Sequence, residues 1–130
     1  MLELTNLKYY IKERLEQLSG LNVYDGVAKD NPTFPYIVFK LPSASNTMRM
    51  TRTDRILEID FWNDSNDDSA ILAASQIVRF GDGGSLYGLD NSFQNEAEGF
   101  YKCYWDFEGE IPDPEKEIYH FNQRYILQVG

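Results

Sequence analysis

The sequence predicts an α+β fold: a mainly antiparallel, twisted sheet of four to five strands with two helices packed on one face, in the order α-β-β-β-α-β-β. Three observations carry this. Apolar residues recur at helical spacing in two separate stretches, they alternate with polar ones in several others, and the two kinds interleave with no linker between them. At 130 residues the chain has the size of a single domain, 1–130, able to bury a sizeable core.

The elements follow in order. Leu4, Leu7, Ile11, Leu15 and Leu18 form an apolar stripe, which predicts a helix over Asn6 to Ser19 with Thr5 or Asn6 as its cap and Gly20 as its left-handed stop. Asn22-Val23-Tyr24 is a short extended stretch closed by the Asp25-Gly26 turn. In NPTFPYIVFKL, Pro32 and Pro35 lack backbone donors, so the next strand should begin at Tyr36. Its alternation puts Ile37, Phe39 and Leu41 on one face and Tyr36, Val38 and Lys40 on the other.

ILEIDFW alternates again, with Leu57, Ile59 and Phe61 inward and Glu58 and Asp60 on a wet face. NDSNDDS then supplies capping residues and acids for a second helix, whose apolar side is Ala70, Ile71, Ala74, Ile77, Val78 and Phe80 and which Gly81 ends. Two aromatic strands close the chain, with Tyr101, Cys103, Trp105 and Phe107 on one face and Tyr119, Phe121, Tyr125, Leu127 and Val129 on another. Three segments are expected to project as loops, at about 42–55, 82–99 and 108–117.

Charge narrows the partners. The net charge is −9, and it is uneven: residues 1–55 carry eight Lys and Arg against six acids, residues 81–120 two against ten. That balance argues against general nucleic-acid binding, which works by neutralising phosphates with Lys and Arg. No apolar run is long enough to span a bilayer and MLELTNLKYY is no signal peptide, so no membrane role and a cytoplasmic origin are expected. One cysteine excludes an internal disulfide.

Candidate chemistry is sparse. Cys103 and His120 are the one pair able to form a thiol–imidazole dyad, but strand phase puts the thiol inward and the imidazole outward, as a surface histidine. The run from Asp64 resembles a calcium loop at Asn66 and Asp68, yet Ser69 stands at the glycine place and Ser75 at the bidentate acid. GDGGSLYG follows a helix and lacks the lysine of a phosphate loop. Glu108, Glu110, Asp113, Glu115 and Glu117 fall in a proline-broken turn expected to be solvated, without the apolar pocket that acid catalysis needs. No catalytic residue, metal ligand or cofactor is therefore expected.

SASNTMRMTRTDR is different. It separates two good strands by more than a tight hairpin needs, and it interleaves Met48 and Met50 with Arg49, Arg52 and Arg55. Either the strands extend into a long ribbon or the segment is an arm that docks on another subunit, since Met and Arg are enriched at interface cores. A ribbon can also be the arm.

Taken together, the N-terminal amphipathic helix, VYDGVAKDNPTFPYIVFK (Val23 to Lys40), RTDRILEIDFWNDS (Arg52 to Ser65) and the closing QRYILQV (Gln123 to Val129) resemble the tail completion or tail terminator family of long-tailed phages. The likeness spans the chain except roughly residues 82–99. It implies a non-enzymatic virion subunit, made in the host bacterial cytoplasm, that forms a ring with itself, commonly a hexamer. Such rings cap the major tail tube protein, face the head connector or head-closure protein, and let DNA pass without tight binding. The family has no catalytic residues to carry over. On charge, the basic segment with Met48, Arg49, Met50, Arg52 and Arg55 and the acids Glu108, Glu110, Asp113, Glu115 and Glu117 are expected to meet across a subunit boundary. A neighbouring neck or head-closure part, an acidic DNA-mimic inhibitor and a carboxylate-dependent hydrolase stay open as alternatives.

Overall fold

The computed structural model describes residues 4–46, 53–64, 68–83, 88–90, 100–112 and 118–129. Seven elements stand in the expected order: α1 (Leu4–Ser19), β1 (Asn22–Asp25), β2 (Tyr36–Asn46), β3 (Thr53–Asn63), α2 (Ser69–Phe80), β4 (Phe100–Glu110) and β5 (Tyr119–Val129). The strands form one sheet in the order β1-β2-β3-β5-β4. Short β1 runs parallel to β2 and the remaining pairs are antiparallel.

Both helices lie on one face because both bury one stripe. Leu7, Ile11, Leu15 and Leu18 of α1 and Ile71, Ala74 and Val78 of α2 join Ile37, Phe39, Leu57, Ile59, Phe61, Tyr125 and Leu127 in a single core. α1 starts at Leu4, so Thr5 and Asn6 sit in its first turn instead of capping it. Gly20, at φ 70°, ends it in the left-handed conformation, and its N–H donates to the Glu16 carbonyl at 2.9 Å. Gly81 closes α2 with an N–H bond to the Ile77 carbonyl at 2.7 Å. At the other end of α2 the Asp68 side chain makes no capping bond, against the expectation for this acidic lead-in.

Three register shifts alter the strand phases. The β2–β3 register shifts between Lys40 and Ser43, and the β4–β5 register shifts between Phe100 and Lys102 and again between Trp105 and Phe107. An extra residue reverses which side chains face the core. Cys103 and Trp105 therefore pack inward as expected, but Phe107 does not: it is 52% exposed, opposite Arg124 on the outer face. Glu108 is carried inward beside Gln123. It belongs to β4 and not to a solvated turn, which corrects that expectation.

Parts of the segments expected to project are strand. Residues 42–46 continue β2, 53–55 open β3 and 108–110 end β4, so β2 and β3 form a long ribbon. The 82–99 segment is pinned at 88–90: Leu89 is fully buried, its N–H bonds the Val78 carbonyl at 2.8 Å, and Asp90 N–H bonds the Arg79 carbonyl at 3.1 Å. Gly88 permits this approach, since a Cβ there would overlap the Arg79 backbone.

Register also fixes the two ends of the sheet. Thr53 pairs with Val129 and Asn63 with Tyr119. The β2–β3 connection thus leaves one end and the β4–β5 connection the opposite end, roughly 33 Å away at about 3.3 Å per residue.

Candidate functional site

Cys103 and His120 lie on opposite faces of the sheet. Cys103 is fully buried in the core, where burial pushes its thiol far above the ordinary range and leaves it inert. His120, however, is not a plain surface histidine. Its side chain is only 11% exposed, and it is part of a cluster on the helix-free face.

Cross-strand pairing builds that cluster. Tyr36 of β2 stands beside Trp62 of β3, and Trp62 beside His120 of β5. The His120 ring stacks on Trp62 at 3.7 Å between centroids and 16° between planes. Tyr36 continues the row at 6.4 Å, and Tyr24 and Phe34 close on Tyr36 at 5.9 and 5.1 Å. Such rows stabilise a sheet face and leave ring edges outward.

Asp60 anchors the cluster. Its Oδ1 accepts hydrogen bonds from His120 Nε2 at 2.8 Å and Asn122 Nδ2 at 2.9 Å, and Lys40 Nζ stands 3.9 Å from Oδ2. The ionised carboxylate only accepts, so His120 carries hydrogen on Nε2. Burial pushes the Asp60 pKa up. The bonds from His120 and Asn122, with the charges of His120 and Lys40, outweigh burial and hold it below the usual carboxylate value. Further along the face, Glu58 accepts from Arg124 at 3.0 Å. The outer side of β3 is thus a paired polar surface instead of a simply wet one.

Beside this cluster lies a cleft of about 200 Å³, lined by Gly26, Val27, Ala28, Tyr36, Val38, Lys40, Asp60 and Trp62. Its floor is the buried Val38 and its lip is Val27, which is 79% exposed.

A second polar network lies on the helical side. Gln123 is fully buried and fully engaged: its Nε2 donates to the Ser75 carbonyl at 3.1 Å and to Glu108 at 3.2 Å, and its Oε1 accepts from Tyr125 at 3.0 Å. Glu108 also accepts from Trp105 Nε1 at 2.9 Å. Arg79 covers the Trp105 ring at 3.8 Å and donates from Nε to Asp90 at 3.4 Å, while Asp90 accepts the Trp105 N–H at 3.1 Å. Each polar group is spent on another, which ties α2, residues 88–90 and the β4–β5 hairpin into one body.

Of the residues expected at a subunit boundary, three are described. Arg55 is half-buried on β3, Glu108 faces inward as above, and Glu110 at the end of β4 accepts from the Tyr119 hydroxyl at 3.0 Å. Met48, Arg49, Met50, Arg52, Asp113, Glu115 and Glu117 lie outside the described residues. Sequence reasoning weighed His120 only against Cys103, took Asp60 and Tyr36 only as outward strand residues, and did not single out Trp62 or Asn122. The available signal was an acid and an amide at outward positions of strands that pair. Among the described residues no group of three His, Cys, Asp or Glu side chains is placed to hold a metal ion, and no helix is long and apolar enough to cross a membrane.

With the fold and this surface defined, known structures provide the comparison. No protein-family model and no curated protein matches the chain. Among solved structures, 26 chains match. One is a chain from the virion of a native gene transfer agent particle, with a TM-score of 0.65 and 14% identity over 92% of this chain and 90% of that one. At that identity the likeness establishes a shared α+β fold, nearly end to end.

Proposed function

We propose that the chain is a non-enzymatic structural subunit of a phage or phage-like particle, one that closes into a ring, commonly of six, at the end of the tail tube and joins it to the head connector. The observation that carries this is the likeness to a chain of a gene transfer agent virion, which spans 92% of this chain and 90% of that one. The described surface adds support. Its polar side chains are mostly paired, Asp54 Oδ1 and Arg124 Nε being buried exceptions, and its cleft is shallow and mostly apolar, as suits docking more than turnover.

Sheet geometry supports reading the charge pairing as intermolecular. The β2–β3 and β4–β5 connections leave opposite ends of the sheet, which favours a contact between copies over one within a copy. Head-to-tail contact between copies is heterologous, and a closing rotation gives a ring. With Glu108 turned inward, Glu110, Asp113, Glu115 and Glu117 are the acids that serve this contact. A net charge of −9 lets duplex DNA pass without being held. The acidic-inhibitor alternative has less to offer on the helix-free face, where Glu58 and Asp60 are already paired.

Light scattering across protein and salt concentrations, alone and with purified tail tubes, tests the proposal. A ring mass is expected, and Arg49→Glu with Arg52→Glu should raise the concentration for half-assembly at least tenfold and reduce its salt dependence. A parent protein that stays monomeric throughout overturns it, as does tight duplex binding at moderate salt. Density at the head connector with none at the tube end would reassign the chain to the neck.

A further inference from the structure

β4 stands last in the strand order, so its outer edge carries backbone donors and acceptors that no further strand among the described residues takes. We infer that residues 88–90 are a guard on that edge: the Asp90 carboxylate holds the Trp105 N–H that an added strand would take, and the strand it keeps out is β4 of a second copy of this chain. The inference is independent of the ring contact and uses none of its residues.

Three observations carry it. The first is direction. Trp105 stands opposite Tyr125 of β5, yet its N–H donates to Asp90 Oδ1 at 3.1 Å, so this donor points away from β5 and off the sheet. Strand alternation turns the Cys103 backbone the same way. Past the bulge, the Ile111 N–H returns to the His120 carbonyl at 2.9 Å. The stretch 102–105 lies between the two register shifts of the β4–β5 pair, and it is the regular part of the edge, where a further strand would add.

The second is the seating of the guard. Leu89 is fully buried, and the N–H groups of Leu89 and Asp90 bond the Val78 and Arg79 carbonyls. Arg79 Nε holds the other Asp90 oxygen at 3.4 Å. Asp90 thus bridges α2 and the sheet edge, with one oxygen on each. Leu89 accounts for the packing; the carboxylate beside it serves the edge.

The third is what the edge would take. Residues 100–107, FYKCYWDF, are rich in the aromatics that favour strands, and an open edge of this kind pairs with its like. Antiparallel pairing of two β4 edges about a two-fold axis at Tyr104 sets Cys103 opposite Trp105 of the second copy, so the outward backbone groups exchange bonds. The same register sets Lys102 opposite Asp106 of the second copy. Opposite charges directly across a strand pair are favourable. β4 is thus complementary to itself, and the guard keeps it single.

Cross-linking through the two-fold axis tests this, because a cysteine at the centre faces itself. Chains carrying Tyr104→Cys are treated with a short bismaleimide; Cys103, fully buried, stays unmodified. With Asp90 present, or with Asp90→Asn, whose amide oxygen still accepts, single chains should dominate. Asp90→Ala should raise the yield of linked dimer at least tenfold. Adding Asp106→Lys should cut that yield at least threefold, and adding Lys102→Asp as well should restore it. Equal linking with and without the Asp90 side chain overturns the inference, as does an Asp90→Ala chain that keeps the parent circular dichroism and stays unlinked. Amide hydrogen exchange of the parent is a second measurement and needs no variant. The Trp105 N–H should exchange at least tenfold more slowly than an unbonded amide; exchange at the free rate overturns the inference even where Asp90→Ala fails to fold. A parent that stays monomeric overturns the ring proposal and leaves this inference standing.

Discussion

Asp60→Ala removes the acceptor at the centre of the helix-free face, and the structure sets the size of the loss. Asp60 and Asn122 are both 7% exposed, and the carboxylate takes hydrogen bonds from His120 and Asn122. Without it, two donors face a gap. A buried donor left unpaired costs about 1–3 kcal/mol, with charge-assisted bonds at the upper end. Water can reach His120 in part, since 11% of its side chain is exposed, so the sum is discounted to about 2–4 kcal/mol. At roughly 3–5 °C per kcal/mol for a domain of this size, the melting temperature should fall by about 6–20 °C. Urea unfolding followed by circular dichroism, with a double-mutant cycle against His120→Ala, reads both the loss and its coupling. A loss below about 0.5 kcal/mol, the range of ordinary surface substitutions, with no coupling, would refute the account of this cluster.

Acid should act through the same carboxylate. Because the folded pKa of Asp60 is lowered, its contribution is complete above the unfolded value of about 3.9 and fades as pH falls through the folded value. The stability gap between the parent and Asp60→Asn should therefore shrink below about pH 4, which urea titrations at stepped pH measure. Gly88→Ala should destabilise by about 2 kcal/mol or more, because the methyl meets the Arg79 backbone and would unseat Leu89; thermal melts check it. Arg79→Lys should cost about 1 kcal/mol, since an ammonium replaces a planar group stacked on Trp105 and bonded to Asp90; unchanged stability and Trp105 fluorescence would contradict that.

What the sequence made legible is what local physics controls. Gly20 and Gly81 end the helices, Pro35 precedes the strand at Tyr36, and the alternation through Leu57, Ile59 and Phe61 turns those side chains inward. The losses have a common cause in pairing between distant residues. The bulge near Asp106 has no compositional mark, so Phe107 and Glu108 read with the wrong phase until their partners in β5 are known. Asp60 meets His120 across 60 residues and Asn122 across 62, a contact that only the β3–β5 register reveals. Leu89 sits in a glycine-rich, polar stretch, and its burial follows from where α2 ends, not from its neighbours in sequence. Gln123 was the one visible warning: a polar residue in phase with Phe121 and Tyr125 needs buried partners, and Ser75, Glu108 and Tyr125 supply them.

Cryo-electron microscopy of tail tubes assembled with this protein measures its role most directly. The account predicts a closed ring of this chain at one end of each tube, with each ribbon crossing onto the neighbouring copy. Tubes with bare ends, or copies scattered along their length, would contradict it.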